Sequence, residues 1–104
     1  MREEKSDMER IKINDLNLEI DHSRLETRRL TDMVVIHHTG NPSDDDLSAA
    51  EIDVSHKARG WACIGYHYVV RKDGTVEQGR PHWTIGAHAY GHNSHTIGIH
   101  VCGN

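Results

Sequence analysis

The run Ile64-Gly65-Tyr66-His67-Tyr68-Val69-Val70-Arg71-Lys72-Asp73-Gly74-Thr75-Val76-Glu77-Gln78 decides the fold. Two β-rich stretches flank Asp73-Gly74, a hairpin signal in which glycine supplies the positive φ of the turn. Alternation along 64–70 predicts that Tyr66 and Tyr68 share one face of the strand and that His67 takes the other. Downstream, residues 79–95 are rich in Gly, His and Asn, which predicts a long loop with one helical turn. Residues 96–101 (TIGIHV) then predict a last strand. Upstream, Ser43-Asp44-Asp45-Asp46 carries a capping serine and acidic residues suited to the positive end of a helix dipole. Leu47, Ala50, Val54 and Ala58 recur at helical spacing, and Gly60 is placed to end that helix. Before it, residues 33–38 (MVVIHH) are apolar on both faces, as expected of a buried central strand, and Thr39-Gly40-Asn41-Pro42 signals a loop.

Nearer the N-terminus, Ile11, Ile13, Leu16, Leu18 and Ile20 partly alternate and predict an extended arm laid over the domain. Residues 1–10 are dominated by charge and are expected to fray or form a short solvated turn. The predicted organisation is an arm over residues 1–30 and one domain over 31–104. Its class is α/β, a mixed central sheet flanked by helices.

Composition narrows the function. Sixteen acidic against twelve basic residues give a net charge of −4, which argues against a nucleic-acid or anionic-membrane partner. No apolar run approaches a membrane span, and the charged start lacks the hydrophobic stretch of a signal peptide. The expectation is accumulation in the cytoplasm or exit by a route without a cleaved leader. Two cysteines, Cys63 and Cys102, are too few for a disulfide framework and are expected to be buried and reduced. Ten histidines stand out, because imidazole is the commonest metal ligand and the usual near-neutral acid or base.

Three clusters hold residue types that suit chemistry. His37-His38 closes the predicted first strand, with one imidazole on each face, so the two do not enter one pocket together. Tyr66 and Tyr68 start the neighbouring strand, and a tyrosine hydroxyl beside a metal-bound water stabilises the oxyanion of an attacked amide. Gly86-Ala87-His88-Ala89-Tyr90-Gly91-His92-Asn93-Ser94 offers close backbone approach together with donors and acceptors for sugar and peptide groups.

Taken in order, VVIHHTGN, a helix ending KARGW, IGYHYVVRKDGTVEQGRP and IGAHAYGHNSHTIGIHVCGN resemble the zinc-dependent amidase and peptidoglycan-recognition-protein superfamily across residues 33–104. The resemblance implies that His37 is a zinc ligand and that Tyr66 lies beside the zinc-bound water as the catalytic residue. It implies that His38, Thr39, His88 and Asn93 line the groove for the muropeptide, and that Trp61 and Arg80 are structural. The implied reaction is hydrolysis of the amide between N-acetylmuramic acid and L-alanine of the peptidoglycan stem peptide.

In the family, the remaining zinc ligands and an assisting Lys or Thr follow in a later segment. The domain is therefore expected to be incomplete at its C-terminus, with one sheet face uncovered or covered in a homodimer. Besides a zinc amidase, the sequence admits a muropeptide-binding module without turnover, an inactive fragment, or a His-rich metal-storage domain. A local zinc site of His37, His100 and Cys102 is an alternative to Cys102 as an ordinary buried thiol.

Overall fold

The computed structural model describes residues 12–38 and 45–103. The charged start, Thr39 and Ser43 fall outside them, as does the loop expected at 39–42. Five strands form one mixed sheet: β1 (Ile13–Asn14), β2 (Met33–His38), β3 (Tyr68–Val70), β4 (Val76–Gln78) and β5 (Thr96–Val101). Their order is β1-β4-β3-β5-β2. The β3–β4 hairpin is antiparallel, and the other neighbours are parallel. Gly74 turns the hairpin at φ +91°, and Thr75 N–H donates to Asp73 Oδ1 at 2.8 Å, as the Asp-Gly signal predicts. The arm contributes β1 to the sheet edge, and Thr27 bridges Thr84 further on.

The helix α1 (Ala49–Ala58) is shorter than the sequence predicts and starts later. Ser48 caps it, Glu51 returns the bond to the Ser48 N–H, and Gly60 follows its end at φ +92°. Asp45 and Asp46 precede the helix, and Asp46 instead accepts from Arg71 Nε at 2.9 Å and from the Lys72 backbone at 3.1 Å. The buried face is Ala49, Ile52, Asp53 and His56, whereas Val54 is exposed, which corrects the predicted stripe. Asp53 and His56 are buried because each accepts from the main chain of the next segment: Asp53 from Ile64 N–H at 2.8 Å, His56 from Gly65 N–H at 2.9 Å.

Ala49, Ile52, Ile64, Val69 and Cys102 form the core between α1 and the sheet, with Leu16, Leu18, Leu47 and Tyr66 packed against it. Cys63 and Cys102 are buried free thiols, as expected. Strand β2 departs from expectation. Among the described residues it is an edge strand, hydrogen-bonded to β5 alone, and Val34 and Ile36 are 55% and 58% exposed. Apolar residues on both faces do not make a strand central when only one flank is paired. Among the described residues no helix is long and apolar enough to cross a membrane.

Candidate active-site groove

A strand was expected over residues 64–70, but 64–67 form an irregular segment, with regular β3 beginning only at Tyr68. Side chains hold the segment in place. Beside the bonds that Asp53 and His56 accept, buried Arg80 donates to Ile64 O at 3.0 Å, Cys63 O at 3.3 Å and Ile85 O at 2.9 Å. Trp61 closes the end of α1, its ring 4.5 Å from that of His56 and under the Arg59 guanidinium. Both residues thus have the structural contacts their positions imply. Because the segment is not a regular strand, strict alternation fails. Tyr66 packs on the core side, while the Tyr68 hydroxyl meets His82 Nδ1 at 2.8 Å.

This fastening presents Tyr66 at the centre of a ring of imidazoles. Its ring centroid lies 5.2 Å from that of His37, 5.6 Å from His56, 4.9 Å from His100 and 6.5 Å from His88. His37 and His100 are register partners on parallel β2 and β5, so they share a sheet face. His38 alternates to the other face and is exposed. Asn93 fixes the loop above: its Oδ1 accepts from the N–H groups of His88 and Ala89, both at 2.9 Å. Gly98 leaves room for His88, whose ring occupies the space that any Cβ at position 98 would enter.

The hydrogen bonds assign the tautomers. Thr96 Oγ1 donates to His92 O at 2.8 Å, so at 3.1 Å it accepts from His88 Nε2–H. His88 Nδ1 is then an acceptor, and His37 Nε2–H donates to it at 3.0 Å. The lone pair of His37 is left on Nδ1. Burial lowers the pKa of His37, and it takes His88 to about 4, with the neighbouring His37 adding to the shift. Burial raises Tyr66. At neutral pH the cluster therefore consists of uncharged imidazoles around a protonated phenol.

A groove runs past this cluster. One cavity of about 440 Å³ is lined by Arg59, Trp61, Tyr66, His88 and Asn93 among others. A second of about 290 Å³ shares Tyr66, His56 and Arg59 and continues along α1 past Glu51 and Ser55 to His100. The sequence singled out neither His56 nor Arg59 for this groove. Once α1 is phased from Ser48, helical spacing sets His56 on the buried face. A separate cavity of about 380 Å³, between the arm and residues 78–82, lies apart from the Tyr66 cluster.

A metal-bound histidine usually donates its other ring N–H to a second group, and His37 donates to His88 in that way. His37 therefore suits one corner of a zinc site. Among the described residues, however, no three His, Cys, Asp or Glu side chains group so as to hold an ion. The alternative trio fails with them: Cys102 belongs to the core and its thiol donates to Leu47 O at 3.1 Å. His100 keeps both ring nitrogens buried without a partner.

The fold is that of the amidase and peptidoglycan-recognition superfamily. LysC, an N-acetylmuramoyl-L-alanine amidase from Clostridium intestinale, superposes with a TM-score of 0.79 at 41% identity, over 89% of this chain and 60% of that one. A Drosophila PGRP-LB variant in complex with tracheal cytotoxin gives 0.66 at 28% identity, over 77% and 52%. The chain belongs to the N-acetylmuramoyl-L-alanine amidase family, whose sequence profile matches residues 27–104. The endolysin of Escherichia phage T7 is 37% identical over 76 residues, which cover 73% of this chain and 50% of that endolysin. The chain thus spans about half the length of the curated phage relatives it matches.

Proposed function

We propose that this chain carries the His37–Tyr66 portion of a zinc-dependent N-acetylmuramoyl-L-alanine amidase, which hydrolyses the amide joining muramic acid to L-alanine in peptidoglycan. The observation that carries the reading is the groove passing Tyr66, with neutral His37 oriented by His88. Family membership and the likeness to an amidase and to a cytotoxin-binding recognition protein support it. His37 would ligate zinc through Nδ1, and His88 would keep that ring in its ligating tautomer. Zinc, when bound, polarises a carbonyl and brings the pKa of its water to about 7. Tyr66, kept protonated by burial, donates a hydrogen bond to the oxygen on which charge develops. In this scheme Thr39, His88 and Asn93 contact the muropeptide, whereas His38 faces the other side of β2 and does not. Asn93 contributes by holding the His88 loop, so its carbonyl oxygen is committed to the protein.

The test is zinc content and turnover of a muramoyl peptide by the purified chain, His37→Ala and Tyr66→Phe. About one zinc per chain, lost in His37→Ala, would mean that a completed ligand set exists and that the amidase reading holds. That reading expects Tyr66→Phe to keep the zinc and lose roughly 100-fold in kcat, the scale of one oxyanion donor. Absence of zinc even after its addition counts against the amidase. The lack of a ligand trio among the described residues favours a second reading, a muropeptide-binding module, which saturable binding without turnover would establish. A homodimer covering the exposed apolar residues of β2 belongs to the same proposal.

A further inference from the structure

Away from Tyr66, the turn Asn93–His95 brings His92 and His95 to the same side of the loop. Their rings stand 5.5 Å apart at 72°, with His92 Nδ1 3.3 Å from His95 Nε2. Behind His95, its Nδ1 is 2.6 Å from Asp32 Oδ1, and the Asp32 N–H donates to His95 O at 3.1 Å. A carboxylate on Nδ1 fixes the proton there, so the lone pair of His95 sits on Nε2 and points toward His92.

That arrangement is long for a hydrogen bond. It matches the edge of a coordination tetrahedron: two nitrogens each about 2.0–2.1 Å from zinc lie roughly 3.3–3.4 Å apart. A carboxylate behind a ligating imidazole is the usual support for such a ligand. We propose that His92 and His95 form a second metal-binding site, open to solvent, with Asp32 as the supporting carboxylate. Imidazole pairs select borderline divalent ions, namely zinc, nickel and copper(II). With two protein ligands the remaining coordination positions belong to water, so the affinity is expected in the micromolar range and the ion stays open to exogenous donors.

The site has a structural consequence. Asp32 leads into β2, which carries His37, while His92 and His95 flank Asn93, which holds the His88 loop. The His95–Asp32 contact ties the loop to the residue leading into β2, and an ion shared by His92 and His95 would stiffen that loop.

The experiment is equilibrium dialysis of the full chain against nickel(II) alone at pH 7.5, in a His37→Ala background so that the groove does not contribute. About one nickel per chain is expected, with at least tenfold weaker binding after His92→Gln or His95→Gln. Asp32→Asn should weaken binding by roughly tenfold, the scale of lost support behind a ligand. Unchanged affinity in His92→Gln, or no nickel bound at millimolar metal, overturns the proposal. Because His37→Ala also tests the groove, the two proposals fail separately. Should that variant not fold, substoichiometric copper(II) added to the unaltered chain gives a second readout. The ring signals of His92 and His95 should broaden before those of His22 and His82, and the reverse order overturns the proposal.

Discussion

His88 keeps its place because residue 98 has no side chain. The imidazole lies over Gly98, bonds to Thr96 at one nitrogen and accepts from His37 at the other. Gly98→Ala should therefore displace His88 and release His37, costing roughly 1–3 kcal/mol of stability as an overpacked site does. Zinc affinity should fall at least tenfold with it. Chemical denaturation and metal titration of the same variant measure both effects, and a zinc affinity equal to the parent's would separate His88 from His37 function. At this scale it was the family resemblance that singled out His37 and Tyr66 together, and their rings stand 5.2 Å apart. The sequence was less legible where direction depends on the backbone. Tyr66 and Tyr68 read as one face because alternation assumes a strand, and residues 63–67 are instead held by Asp53, His56 and Arg80. Contacts from residues distant in sequence leave no local periodicity to find.

Among the elements, α1 shows how a local signal misleads. The acidic residues before it resemble the first turn of a helix, yet Asp46 serves the hairpin through Arg71, which also pairs with Glu77 at 3.0 Å. The capping box lies at Ser48 and Glu51. Ser48→Ala should cost about 1 kcal/mol, the usual worth of a serine cap, measurable as a lower denaturation midpoint. Strand β5 was legible end to end, because its flanking loop residues mark both limits. Strand β2 was located correctly but placed wrongly in the sheet. Which neighbours a strand finds is decided by the whole topology, and six apolar-rich residues contain no record of it.

For the molecule as a whole, buried neutral imidazoles set the acid limit. His67 is fully buried, accepts from Gly98 N–H at Nδ1 and meets Thr84 O at Nε2, and burial lowers its pKa to about 4. The unfolded chain takes up that proton near 6.5, ahead of the folded one. The contribution of His67 is thus complete above about pH 6.5 and is lost as pH falls toward 4. Unfolding measured between pH 7 and 4.5 should show stability dropping by more than about 1 kcal/mol. His67→Gln should be less stable at pH 7 and flatten that slope. The exposed apolar residues of β2 lead to a prediction at the same scale. Ile36→Lys should lower self-association in sedimentation velocity while leaving the fold intact, and unchanged sedimentation would exclude the β2 face as the contact.

The pairing of β2 with β5 also orders events in time. Met33 finds Thr96, and His37 finds His100, only after nearly the whole described chain has been made. Closing so long a loop is slow compared with forming α1 or the hairpin. While the chain emerges from a ribosome, Tyr66 and its supports have their partners before His37 has any. The His37 side of the groove is then the last described part to gain its strand partner.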